Sequence, residues 1–256
     1  MSNETEGRPL LTVVMAVFNE RATVLNTIAA VRAAPVDSLE IIVVDDCSTD
    51  GTREELTSAL SGADDVTLIC HDRNRGKGAA LRSGFASARG RFVLIQDADN
   101  EYDPKDYPVL LKPLLDGQAD VVFGSRFLGG PHRVLYYWHS VANTILTHIS
   151  NMVTDLNLTD METCYKVFRR DVLEQLDLRE DRFGIEPEIT TKVAQLGVRV
   201  FEVPISYNGR TYAEGKKIGI KDAFRAVYCI FRYGMGGRLN PRTLADPPAR
   251  GSTPRP

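Results

Sequence analysis

The chain has 256 residues, 43% of them hydrophobic and 25% charged, which is the balance of a soluble globular protein long enough to bury a sizeable core. Its 31 Lys and Arg against 34 Asp and Glu leave a net charge of −3, which argues against a dedicated nucleic-acid binder, so no nucleic-acid partner is expected. The four cysteines (Cys47, Cys70, Cys164, Cys229) form no CxxC pair and the four histidines no HExxH, so neither a disulfide framework nor a zinc site is expected. Residues 1–9, MSNETEGRP, are polar, carry no apolar signal segment and read as a flexible N-terminus. With no apolar run approaching the roughly 18–20 residues of a membrane span, a cytoplasmic chain is expected, able at most to rest on the membrane face.

From there the pattern alternates. Leu10–Val17 (LLTVVMAV) is an unbroken apolar run rich in β-branched residues, the signature of a strand buried on both faces. Ala22–Ala33 has helical spacing, Glu40–Val44 reads as a second strand, Thr52–Leu60 as a helix and Val66–Cys70 as a third strand. Gly78–Ala88 is helical, and Arg91–Ile95 and Ala119–Phe123 are strands. This order predicts a doubly wound α/β unit over about residues 10–125. Beyond it, Val134–Val153 reads as a helix apolar nearly all round, Tyr165–Phe168 as a short strand, Glu186–Gln195 as a helix and Val198–Tyr207 as a strand. Ile220–Tyr233 is an amphipathic helix. The segment 241–256 holds five of the 13 prolines and no aromatic residue, and reads as a disordered tail.

In an open parallel sheet, ligands bind beyond the carboxyl ends of the strands, so the informative residues follow the strands. The first strand ends in Phe18-Asn19-Glu20 with no GxGxxG, which argues against a dinucleotide site. After the second comes DDCSTDG, where Asp45 could hydrogen-bond a ribose or base, or could, with Ser48 or Asp50, cap the next helix. After the third comes DRNRGKGAALRSG. A Walker A loop is excluded because His71 and Gly78 stand where it needs Gly and Ser or Thr. What remains is a glycine-rich turn at a helix start, where Lys77 and backbone N–H groups could meet an anion, or a basic surface turn. After the fourth strand comes IQDADNEYDP. Asp97 and Asp99, two apart, point the same way from an extended segment, and a hard divalent cation relieves their repulsion.

Taken in order, VVMAVFNE, VVDDCSTDG, NRGKGAALRSG, QDADNEYDP and GSRF resemble the inverting family-two glycosyltransferases, and more narrowly the dolichol- and polyprenyl-phosphate sugar synthases, over about residues 10–235. The resemblance implies a single GT-A (nucleotide-diphospho-sugar transferase) domain, with a mostly parallel central sheet, a nucleotide-sugar half (about 10–125) and an acceptor half (about 126–235). It implies that Ala16, Phe18 and Glu20 line the base, that Asp45 and Lys77 bind the nucleotide, and that Asp97, Asp99 and Glu101 serve the diphosphate and an Mg²⁺ or Mn²⁺ ion. Arg126 would lie near the diphosphate and Asp160 would open the acceptor motif, as its base if the acceptor is a hydroxyl, unless it only caps a turn. Arg210 and Lys217 would grip a lipid phosphate. Glu186 and Glu188 are left open between a site and a structural role, and Tyr136, Tyr137 and Trp138 read as packing residues rather than a sugar platform, with a place at a membrane surface as the alternative.

The implied activity is metal-dependent inverting transfer of a hexose from a GDP-mannose- or UDP-glucose-type donor to a polyprenyl phosphate, with peripheral membrane contact or a membrane partner. The alternatives are a soluble or glycan hydroxyl acceptor, or a binding module without chemistry. The apolar positions Ile220, Phe224, Val227, Ile230 and Phe231 would meet the membrane surface or pack against the sheet.

Overall fold

The computed structural model describes residues 7–134, 136–211 and 220–235. Residues 1–6 of the expected flexible N-terminus, Lys217 and the proline-rich segment 241–256 lie outside them.

Seven strands form one sheet in the order β3-β2-β1-β4-β6-β5-β7. They are β1 (Leu11–Val17), β2 (Leu39–Asp45), β3 (Val66–Cys70), β4 (Phe92–Asp97), β5 (Val121–Ser125), β6 (Lys166–Arg169) and β7 (Val200–Pro204). The first four pair in parallel, as do β5 and β7, while β6 runs antiparallel between β4 and β5. The central strands carry Val, Ile and Leu on both pleats because helices cover both faces; Val13, Val14, Ile42, Val43, Val93 and Leu94 are all fully buried.

The helices are α1 (Val24–Arg32), α2 (Thr52–Ala59), α3 (Lys77–Ser87), α4 (Tyr107–Leu115), α5 (Tyr137–Thr154), the single turn α6 (Arg170–Leu173), α7 (Ile185–Leu196) and α8 (Ile220–Gly234). Helix α3 lies against β1 at Gly84, where an added Cβ would come within 2.3 Å of Val14 Cγ1. Only a residue without a side chain allows that approach.

Three expectations need correction. Helix α4 was not anticipated, because Pro108 and Pro113 interrupt its pattern; its buried stripe Tyr107, Leu110, Leu111 and Leu114 is nonetheless spaced as one helix face. Helix α5 is not buried all round. It turns Thr147, Ser150 and Thr154 inward, toward α7 and α8, and leaves Tyr137, Trp138 and Met152 more than 70% exposed, so Tyr137 and Trp138 are not packing residues. On α8, Ala226, Cys229 and Ile230 are buried, whereas Phe224 and Phe231 are exposed, so the single apolar face read from the sequence divides in two.

Candidate active site

The winding of the sheet reverses at β1, since β2 and β3 extend to one side and β4 to the other. Such a switch point opens a crevice at the carboxyl ends of the strands. The register sets Ala16 beside Asp97 and Val17 beside Asp45, so the motifs after β1, β2 and β4 share one rim. A cleft of about 650 Å³ opens there, lined by residues that include Asn19, Glu20, Arg21, Asp50 and Arg210.

On this rim Lys77, at the start of α3, holds two carboxylates: its Nζ is 2.8 Å from Asp97 Oδ1 and 2.8 Å from Glu186 Oε1. Burial works against both ions of the first pair, yet their attraction prevails, so Lys77 keeps its proton and Asp97 stays below the usual carboxylate range. The turn that delivers Lys77 is built by Asp46. This buried carboxylate accepts the backbone N–H groups of Arg75 (2.9 Å) and Gly76 (2.6 Å) and meets His71 Nδ1 at 2.7 Å. Gly76 has φ +97, and an added Cβ would lie 2.3 Å from the Asp181 carbonyl, so the turn requires glycine.

A second cluster surrounds Arg210. Its guanidinium reaches Asp99 Oδ2 at 2.8 Å, Glu20 Oε2 at 3.2 Å and Glu101 Oε1 at 3.4 Å. Glu101 also accepts the Arg210 backbone N–H (2.7 Å) and the Tyr207 hydroxyl (2.8 Å). Even so, burial with Asp97 and Glu101 nearby pushes the Asp99 carboxyl up to about 7. Excess negative charge therefore remains at the end of β4. Asp97 and Asp99 offer hard oxygen donors two residues apart, the chemistry that Mg²⁺ or Mn²⁺ takes, and a cation there would cancel the repulsion. Among the described residues no three His, Cys, Asp or Glu side chains are grouped so that they alone could hold a metal ion, so substrate oxygens and water would complete such a shell.

Beyond β5, Arg126 is held by Asp160, a fully buried carboxylate. The guanidinium donates through Nε (2.6 Å) and Nη2 (2.7 Å), the bidentate arrangement that fixes its plane, and the Arg126 backbone N–H adds a third bond at 3.1 Å. Asn143 braces both partners, and the Arg126 guanidinium lies 5.1 Å from the centre of the Tyr207 ring. Glu202 accepts the backbone N–H groups of Thr159 and Asp160, anchoring that turn to β7.

The expected residues thus gather at one end of the sheet, some in different company than foreseen. Asp45 is fully buried and bound by Arg53 Nε at 2.6 Å, which directs its carboxylate into the fold. Phe18 is exposed on the rim and Ala16 half-buried. Arg210 faces the acidic motif, and Lys217 is outside the described residues. Sequence reasoning passed over Asp46 as a site residue, although the doubled aspartate marks it: neighbouring strand residues face opposite ways. Glu186 is the second partner of Lys77, whereas Glu188 accepts the backbone N–H groups of Arg179 and Glu180 and is structural.

A mostly parallel α/β sheet with paired acids at its central strand exit and cations on both flanks is the build of a transferase of the GT-A fold. The sequence matches the family described as Glycosyl transferase family 2 over residues 12–177. It is 31% identical over 234 residues to an undecaprenyl-phosphate mannosyltransferase of Micrococcus luteus, covering 88% of this chain and 94% of that one. It is 30% identical over 238 residues to a polyprenol monophosphomannose synthase of Mycolicibacterium smegmatis, covering 89% and 88%. Among solved structures, glucosyl-3-phosphoglycerate synthase from Mycobacterium tuberculosis, in complex with Mn²⁺, UDP and glucosyl-3-phosphoglycerate, superposes with a TM-score of 0.68 at 20% identity, covering 90% of this chain and 81% of that one. The chain belongs to glycosyl transferase family 2 and is a glycosyltransferase.

Proposed function

We propose that the chain moves a hexose, with inversion, from a nucleotide diphosphate sugar of the GDP-mannose or UDP-glucose type to a polyprenyl phosphate, using Mg²⁺ or Mn²⁺. The observation that carries the reading is the Arg126–Asp160 pair: a cation fixed in orientation, braced through Tyr207 to the acidic rim, where a second anionic reactant would meet the donor. The two similar proteins named above are a polyprenyl-phosphate mannosyltransferase and a polyprenol monophosphomannose synthase.

Asp97 and Asp99 would hold the cation, with Glu101 close by; when bound, it neutralises charge on the departing diphosphate. Lys77 presents its ammonium on the donor side. Arg126 holds the acceptor phosphate and Asp160 keeps the guanidinium in plane. A phosphate acceptor is already an oxyanion, so its attack on the anomeric carbon needs no base, which suits an Asp160 whose two oxygens are both engaged. Arg210, which pairs with Asp99, Glu20 and Glu101, would be the cation nearest a phosphate bound at the acidic motif.

Among the described residues no helix is long and apolar enough to cross a membrane. The exposed Tyr137, Trp138 and Met152 of α5 and Phe224, Tyr228 and Phe231 of α8, two helices that pack together, would rest in the headgroup region where a polyprenyl phosphate is presented. The test is to incubate the purified chain with GDP-mannose or UDP-glucose, Mn²⁺ and a short-chain polyprenyl phosphate in detergent. A hexosyl-phosphate lipid detected by mass spectrometry is expected. Hexose transfer to hydroxyl acceptors with the lipid phosphate left unmodified would overturn the acceptor assignment.

A further inference from the structure

The turn between Asp160 and β6 carries a carboxyl that the chemistry above leaves unused. Glu162 is half-buried overall, but its Oε1 is closed off from solvent and has no hydrogen-bond partner. The Oγ1 of Thr163, the next residue, is in the same condition. Buried polar atoms in native proteins are paired, and those that are not call for an explanation.

Nearby cations do not supply one. Lys166, fully buried beneath the turn, spends its ammonium on the carbonyls of Met161 (3.0 Å) and Thr163 and lies 5.0 Å from the centre of the Phe123 ring. Arg126 commits its Nε and Nη2 to Asp160 and Asn143.

The placement of Glu162 is informative. Its electrostatic neighbours include Glu186, which shares Lys77 with Asp97 on the donor side, and Arg126 and Asp160 on the acceptor side. A hexose passing from a diphosphate at Asp97 to a phosphate at Arg126 must occupy the space between them. Burial and the charge of Glu186 push the Glu162 carboxyl up to about 7, so near neutrality it can donate as well as accept. A ring hydroxyl also does both.

We propose that Glu162 is a sugar-binding residue that reads the transferred hexose, turning its half-buried carboxyl to pair with a ring hydroxyl. This rests on the transferase reading above. A site built to pair with a hydroxyl discriminates against the analogue lacking it, because the protein group is then left buried and unpaired.

The experiment compares wild type, Glu162→Gln and Glu162→Ala. It measures kcat/KM for GDP-mannose and UDP-glucose and for their monodeoxy-hexose analogues with Mn²⁺, together with calorimetric affinities for GDP and UDP. For the donor used, the alanine variant is expected to lose at least about tenfold in kcat/KM, and the loss to vanish on one particular deoxy analogue. Nucleotide diphosphate affinity should stay within about twofold, and Glu162→Gln, which keeps the shape and one acceptor, should lose less. A loss of equal size on every deoxy analogue, or one matched by weaker GDP or UDP binding, overturns the assignment. The glutamine variant carries the same comparison if the alanine variant does not fold. Wild type that binds nucleotide diphosphates but processes neither donor would overturn the transferase reading itself, an outcome distinct from the failure of Glu162.

Discussion

Asp160→Asn preserves the shape of a fully buried side chain and removes its charge. Arg126 then keeps one of its two acceptors on residue 160 beside Asn143 Oδ1, and the new amide would point donors toward it and toward Asn143 Nδ2, at present 3.3 Å from Asp160 Oδ1. Removing one partner of a buried ion pair costs about 3–5 kcal/mol. The Arg126 side chain is 17% exposed and can turn partly to water, so about 2–4 kcal/mol is expected. For a chain of this size that lowers the melting temperature by roughly 5–15 °C. Because Asp160 is read as the mount of Arg126, the kinetic loss should fall on acceptor KM, by about tenfold or more, with a smaller change in kcat. The double variant Asp160→Asn/Arg126→Ala should be little worse than Arg126→Ala alone. Steady-state transfer at varied polyprenyl phosphate, with calorimetric melting of all three variants, measures each quantity. If kcat at saturating acceptor drops by about 10²-fold or more, with unchanged acceptor KM and melting temperature, Asp160 is a general base and the mounting role is refuted.

Asp99→Ala should leave the fold intact, since Arg210 retains Glu20 and Glu101, and should make nucleotide-sugar affinity the same in Mn²⁺ as in EDTA when titrated by calorimetry. Gly78→Ala would place a Cβ 2.1 Å from the Glu180 carbonyl, so a destabilisation of about 1–3 kcal/mol in urea melts is expected, together with weaker nucleotide binding as the neighbouring Lys77 shifts. Asp120 is held at about 2 by hydrogen bonds from Arg199, against the opposing effect of burial, with Arg169 adding a further bond. A lowered carboxyl stabilises the fold above its unfolded value of about 4, and that contribution is lost as pH falls toward 2. With both arginines a third or more exposed it is worth about 1–2 kcal/mol, and Asp120→Asn should flatten the acid limb of stability between pH 4 and 2 by that amount.

Strands β1, β2 and β4 were legible because burial on both faces leaves unbroken apolar runs, and the motifs at their ends followed from the rule that such sheets bind ligands there. Partnerships were not legible. Arg210 meets Asp99 across 111 positions, and Lys77 finds Glu186 in the other half of the chain. No local pattern encodes which acid a cation will choose. Asp45, which ends β2, and Asp46, which follows it, look alike in sequence, yet the chain direction there sends Asp45 to Arg53 and Asp46 to the turn before Lys77. Helix α4 was hidden by its own prolines, at the first turn where proline is tolerated and again at Pro113. Helix α5 misled because Trp138, Ile145 and Met152 face out while the hydroxyl residues Thr147, Ser150 and Thr154 face in.

The antiparallel strand β6 gives the molecule a ruler. Asp97 ends β4 and Arg126 follows β5, and β6 is hydrogen-bonded to both. Strands lie about 4.8 Å apart, so two spacings set the lateral stand-off between those elements at roughly 10 Å. Backbone bonding maintains that width, which no loop rearrangement can stretch. If the chain transfers a hexose as proposed, relatives that differ in the sugar they carry should differ in the side chains that reach into this gap rather than in its span.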